Sequence, residues 1–202
     1  MTELKLLIGG ELVDGDLTMD VVNPATEAVF ATVARASERQ ADQAIEAAAA
    51  AFPHWAETPI AERQAKISAL ADAIAANAEK LARALTQEQG KPLAEAMGEV
   101  AWTEGFLRHY ATLHIEERTI QDDGAALIQV RRKPLGVVVG IVAWNFPLLM
   151  ACWKIGPAVI AGNTIVMKPA PTTPVTTMML GELCREVFPA GVVNIIVDAN
   201  DL

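Results

Sequence analysis

The chain has 202 residues, 52% of them hydrophobic and 20% charged, which excludes wholesale disorder and leaves room for one sizeable domain or a domain plus part of another. A formal net charge of −9 repels phosphate backbones and argues against nucleic acid as a partner. Two cysteines, Cys152 and Cys184, make no disulfide framework; both fall in helical patterns and read as buried small hydrophobes. The opening MTELKLLIGG has no basic start and no long apolar run, so no signal peptide is expected and a cytoplasmic location is the default.

Short apolar stretches at 6–13 and 19–22, punctuated by Gly9-Gly10 and Asp14-Gly15, predict small β-hairpins. Asn23-Pro24 breaks the run, and 29–34 supplies another short strand. Ser37, with Gln40 three places on, is a capping box that opens an alanine-rich helix over 38–52, which Pro53 is expected to stop. A second helical region runs from Pro59 to Gln89, with Ile60, Ile67, Leu70, Ile74, Leu81 and Leu85 at helical spacing. It breaks near Asn77 and stops at Gly90-Lys91-Pro92. A third helix, over 93–115, has Met97, Val100, Trp102, Phe106, Leu107 and Tyr110 to bury. These helices are expected to cover a sheet rather than form a bundle of their own. Glu116-Glu117-Arg118 and Asp122-Asp123-Gly124 mark a polar break, and 125–132 alternates loosely, as a strand leaving the domain would. Arg131-Arg132-Lys133 reads as a solvated turn.

The run from 132 to 175 is the centre of the chain. Residues 135–142 are a β-branched run too uniform for a half-exposed strand and suited to a buried parallel one. Trp144-Asn145-Phe146-Pro147 follows, with Pro147 at the first position of an apolar helix over 148–160. Gly162-Asn163 ends that helix, Thr164 starts a second strand and Lys168 closes it. This is a β-α-β unit. Residues 134–153 carry no charge, but Asn145, Pro147 and the β-branched first half fit a strand followed by a helix better than a membrane-spanning helix. Thr173-Pro174 opens a further helix over 175–188, Pro189-Ala190-Gly191 turns it, and 192–197 is the next strand.

In open parallel sheets ligands gather outside the carboxyl ends of the strands. Here those ends carry Asn145 and Lys168, an amide and an ammonium above one sheet edge. Taken alone, Asn145 is more often a turn asparagine capping the next helix, and Lys168 more often a solvated strand end. Phe146, Met150 and Trp153 share one helical side, which by itself is ordinary core spacing. The three histidines have no metal-ligand spacing, and neither a GxGxxG nor a P-loop motif is present.

Several long motifs, in order, resemble the aldehyde dehydrogenase superfamily: VVNPATEAV, EQGKPL, the loop AWNFP where the family has PWNFP, the helix LLMACWKIGPAVIAGN, and TIVMKPAPTTP. The resemblance covers the whole chain. It implies an α/β fold: the N-terminal part of a Rossmann-type cofactor domain, an incomplete parallel sheet with helices on both faces. By this likeness, 1–117 would be hairpins and helical cover, 118–134 a strand leading to an oligomerisation arm, and 135–202 the first half of the NAD(P)-binding sheet. Asn145 would form the oxyanion hole for a thiohemiacetal, and Lys168 would hold the adenosine ribose of NAD or NADP. Ile141, Val142, Ala143 and Trp144 would line the cofactor cleft, and Phe146, Met150 and Trp153 the aldehyde tunnel. The partners implied are a small-molecule aldehyde and further copies of the chain.

Two positions depart from the family pattern. Ala143 stands where a proline usually precedes the Trp-Asn pair, which loosens the loop. Pro171 stands where NAD-preferring members often carry a glutamate that binds both ribose hydroxyls, and a proline neither accepts that bond nor repels a 2′-phosphate, so NADP should be tolerated. The family's nucleophilic cysteine, its glutamate base and the glycine-rich turn at the pyrophosphate lie downstream of the Lys168 strand and have no counterpart here. Cys152 is embedded in an apolar helix without a base, and Cys184 matches no nucleophile motif. No turnover is expected from these 202 residues alone, and a parallel sheet stopping after its third strand exposes an apolar edge, which points to a truncated enzyme. The alternatives are a non-catalytic short form that pairs with full-length subunits, and a stand-alone nucleotide-binding module.

Overall fold

The computed structural model describes residues 4–199; residues 1–3 of the stretch read for a targeting signal, and the 200–202 end, lie outside them. The chain begins with two hairpins. β1 (Leu6–Ile8) and β2 (Glu11–Val13) turn at Gly9-Gly10, whose φ values of 61° and 88° suit glycine. β3 (Leu17–Val22) pairs antiparallel with β4 (Val29–Arg35).

The first helix, α1 (Glu38–Glu57), starts at the expected capping box: the Ser37 hydroxyl accepts from the Gln40 N–H, and the Gln40 side chain accepts from the Ser37 N–H. Gln40 also accepts from the Asp16 N–H at 2.8 Å and donates to the Asp14 carbonyl at 2.7 Å, which ties the helix start to the hairpin turn. Pro53 does not stop this helix, contrary to expectation. Beyond it, Trp55 is fully buried and donates its indole N–H to the Val159 carbonyl at 3.1 Å. That tertiary anchor offsets the lost backbone bond of an internal proline.

The expected break at Asn77 separates α2 (Ile60–Ala76) from α3 (Ala78–Gln89), and Gly90, at φ 88°, ends α3. The next helix, α4 (Leu93–Tyr110), stops short of 115. There Thr112 turns back, its backbone and its hydroxyl both donating to the His109 carbonyl, and the Gln64 amide takes the Leu113 carbonyl at 2.9 Å. The polar break is itself a turn: β5 (Arg118–Asp122) and β6 (Leu127–Val130) form a separate antiparallel ribbon around Asp123-Gly124. Asp123 accepts from the Ala125 and Ala126 N–H groups at 3.0 and 2.9 Å.

The central run then alternates strand and helix: β7 (Val137–Ile141), α5 (Pro147–Ile160), β8 (Thr164–Lys168), α6 (Val175–Val187) and β9 (Val193–Ile195). The uncharged 134–153 stretch is thus split between a strand and a helix, and no helix among the described residues is long and apolar enough to cross a membrane. The main sheet runs β2-β1-β9-β8-β7, with β7, β8 and β9 parallel and β1 antiparallel to β9. The fold is α/β.

Both crossovers step the same way along the sheet, so right-handed connections place α5 and α6 on one face. The other face is covered by α1, which packs on β8, β9, β7 and β1. The expectation that the early helices cover the sheet holds for α1 alone. A further layer, made of α2, α3 and α4, stacks on α5 and α6. β7 is a correction too. It is parallel, as expected, but among the described strands it is the outer one, and Val139 and Ile141 are 57% and 69% exposed. The buried strand of the unit is β8, whose first four residues are all covered.

Candidate functional site

The register of β7 on β8 sets Ile141 opposite Lys168, so the two strands end side by side. The Val142 N–H extends the ladder to the Lys168 carbonyl at 3.1 Å, and Ile196 does the same on the far side, to Met167 at 3.0 Å. The loops that leave these strands are therefore neighbours, joined by the Thr173 hydroxyl donating to the Trp144 carbonyl at 3.5 Å. Val142 is buried, Ala143, Trp144 and Asn145 are exposed, and Lys168 and Pro171 are half-buried. The sequence-picked residues 141–145, 168 and 171 thus sit on or beside one ledge above the carboxyl ends of the strands.

Asn145 does not cap α5. The N-cap is Phe146, which makes no side-chain cap bond, and Pro147 fills the first helical position. The free N–H groups of Leu148 and Leu149 are taken by one oxygen of Glu99 on α4, at 3.1 and 3.2 Å. Among the described residues the Asn145 side-chain amide makes no hydrogen bond. A carboxylate from another helix does the capping, and the asparagine amide stays available.

Glu99 is fully buried and ion-paired with Lys91. The Lys91 ammonium also donates to the Asn145 carbonyl at 3.0 Å and stands 4.2 Å from the centre of the Phe146 ring. Glu88, two residues before Gly90, caps the next helix in the same way. It accepts from the Val175 N–H at 2.6 Å, the Thr176 N–H at 3.2 Å and the Thr176 hydroxyl. Burial pushes the Glu88 carboxyl up to about 7, opposed by those three bonds and helped by the neighbouring Glu99 charge. Thus Glu88 of the EQGKPL motif and Glu99, six residues beyond it, order the starts of α6 and α5.

Sequence reasoning took that segment as a helix stop and missed its carboxylates. A signal was present: Glu88 follows Leu81 and Leu85, and Glu99 lies between Ala96 and Thr103, all on buried faces. A carboxylate on a core stripe needs a partner.

Phe146 and Trp153 project from α5, with Met150 half-buried between them. Two residues of α4 expected in the core join them instead: Trp102, 60% exposed, stacks on Phe146 at 6.3 Å, and Phe106 meets Trp153 edge-on at 5.1 Å. Both are missed members of the aromatic wall. Cys152 and Cys184 are buried, and burial pushes both thiols up from their usual range, which disfavours the thiolate form.

Against known proteins, the aldehyde dehydrogenase family model matches residues 12–201. The chain is 41% identical over 199 residues to an aldehyde dehydrogenase of Emericella nidulans, a match covering 96% of this chain and 40% of that protein. It is 40% identical over 198 residues to a glutarate-semialdehyde dehydrogenase of Pseudomonas putida, covering 94% of this chain and 41% of that one. Among solved structures, betaine aldehyde dehydrogenase from Staphylococcus aureus in complex with NAD+ superposes with a TM-score of 0.93 at 35% identity, covering 98% of this chain and 41% of that chain. The chain spans about 40% of the length of the curated relatives it matches.

Proposed function

The chain belongs to the aldehyde dehydrogenase family, and from that membership we propose that it supplies the oxyanion-binding and cofactor-facing part of an NAD(P)-dependent enzyme that oxidises an aldehyde to a carboxylic acid. The observation that carries this reading is the Asn145 amide, left unspent at a strand end because Glu99 caps α5 in its place.

When a cysteine thiolate adds to an aldehyde, negative charge develops on the carbonyl oxygen as the C–S bond forms. A rigid amide N–H aimed at that oxygen is worth about 3 kcal/mol in a dry site. Asn145 is that donor. The attacking thiol is neither Cys152 nor Cys184, both buried in helices, so the reading assigns it to the complete enzyme.

The ledge fits a dinucleotide. Ile141 offers an exposed apolar surface, Lys168 stands on the adjacent strand end, and the following loop, 169–174, contains no carboxylate. A nicotinamide cofactor, when bound, supplies the hydride acceptor. Lys168 would hold the ribose or its phosphate, with Val142, Ala143 and Trp144 beside it. Pro171 presents no negative charge to a 2′-phosphate, so the site would take NADP as well as NAD. Phe146, Met150 and Trp153, together with Trp102 and Phe106, would form an apolar approach for the aldehyde. The exposed β5–β6 ribbon would act as an arm between copies in a homo-oligomer. In this scheme 1–117 provides hairpins and cover, 118–134 the arm, and 135–202 the cofactor sheet.

The test is Asn145→Ala in the complete enzyme. It should lower kcat by about 10²–10³-fold with the melting temperature unchanged. An unaltered kcat rules out the oxyanion role. Titration of the same enzyme with both dinucleotides checks the cofactor reading, which fails if NADP does not bind.

A further inference from the structure

We propose that Lys91 and Glu99 form a positioning strut for Asn145, built to hold its backbone and to keep its amide free; this rests on the oxyanion reading above. A side-chain donor is effective only when its own backbone is fixed to within about 0.5 Å. Asn145 lies outside any helix or strand, in a loop whose neighbours Ala143 and Trp144 are exposed. Two contacts from this pair hold the loop, beside the Thr173 hydroxyl on the Trp144 carbonyl. On one side the Lys91 ammonium takes the Asn145 carbonyl at 3.0 Å and covers the Phe146 ring. On the other, the Glu99 carboxylate takes the Leu148 and Leu149 N–H groups at 3.1 and 3.2 Å. The two side chains are ion-paired with each other, with Glu99 wholly enclosed and Lys91 nearly so. The loop is thus gripped before and after Pro147 by a single pair.

Simple helix capping does not account for this arrangement. A local Ser, Thr or Asn at the N-cap would cap α5 without introducing any charge. The chain instead places Phe146 there and draws the cap from α4, 49 and 50 residues away in sequence. Burying an ion pair gives little net stability, so the pair is better explained by the geometry it enforces. Glu88 is the internal contrast: it caps α6 with no cation among its bonded partners and no strand-end amide to hold.

Changing Lys91 alone would strand the Glu99 charge in the core. The informative variant is therefore Lys91→Met with Glu99→Gln, in which the glutamine oxygen can still accept from α5 but the contact to Asn145 is gone. In the complete enzyme the pair change should lower kcat about tenfold, with KM within about twofold, and Lys91→Arg should retain most of the activity. In an Asn145→Ala background the same pair change should cost less than about twofold, because it acts through a donor already removed. Equal losses in both backgrounds would overturn the strut. The second readout needs no turnover. Amide exchange at Met150, whose N–H donates to the Phe146 carbonyl at 2.9 Å, should rise by about tenfold or more in the pair variant while residues 175–178, capped by Glu88, keep their protection. Unchanged exchange at Met150 also overturns the strut. If Asn145→Ala leaves kcat intact, the oxyanion reading fails, and the exchange result then decides the strut separately.

Discussion

Glu88 and Glu99 occupy positions that the helical pattern reserves for apolar side chains, and each is buried because it meets backbone N–H groups at the start of another helix. The Glu88 carboxyl, moved by burial from an ordinary 4.5 to about 7, holds its proton more tightly folded than unfolded. Its contribution to stability is therefore fully present below the ordinary carboxyl range and is lost as pH rises through about 7. Glu88→Gln should flatten the fall of unfolding free energy between pH 4.5 and 7, read by urea denaturation at stepped pH. A slope unchanged by the substitution would assign the pH dependence elsewhere. The strand-end rule singled out Asn145 and Lys168 directly from the sequence, since it needs only local pattern. It could not reach Glu99, whose bond to Leu148 spans 49 residues and exists only once α4 packs on α5.

Most elements follow from local chemistry. The capping box at Ser37, the break at Asn77, the Gly90 stop and the proline start of α5 were all legible in the sequence and stand in the structure. One exception is set by a distant partner. Pro53 fails to end α1 because Trp55, two residues on, is clamped to Val159. Trp55→Phe keeps an aromatic ring but deletes the hydrogen bond together with the pyrrole half of a buried indole. It should cost about 2–3 kcal/mol in denaturant titrations, the lost bond plus the cavity, and raise amide exchange most in 54–57. Uniform exchange along α1 would mean that the turn after Pro53 stands without the anchor. β7 shows the converse limit. Its composition matches a strand covered on both faces, but composition does not say where in the sheet a strand lies.

At the scale of the molecule, a sheet faced by α1 on one side and by α5 and α6 on the other carries the rest as additions: the outer layer of α2, α3 and α4, the β3–β4 hairpin and the β5–β6 ribbon. That ribbon belongs to no layer. Every residue of β5 is exposed, and Ile120, Leu127, Ile128 and Val130 present apolar side chains to solvent. If it is the arm between copies, Ile120→Asp with Leu127→Asp should lower the mass of the assembly by native mass spectrometry and leave the subunit's secondary structure intact. Retention of the full assembly would remove the arm from the interface. The family's motif order made the α/β architecture legible, whereas the stacking of the outer α2–α4 layer depends on which helix faces are left apolar after the first contacts form.

The four tryptophans divide unevenly in this arrangement: Trp55 is sealed in the interior, and Trp102, Trp144 and Trp153 are solvent-exposed beside the ledge and the aromatic wall. Their emission is therefore separable by colour and by quencher. An interior indole emits to the blue and resists iodide, whereas exposed ones emit to the red and are readily quenched. The protein is in effect labelled twice by its own side chains. One signal reports loss of the core and the other reports arrivals at the cleft, so a ligand titration and a melt can be read from the same cuvette without a dye.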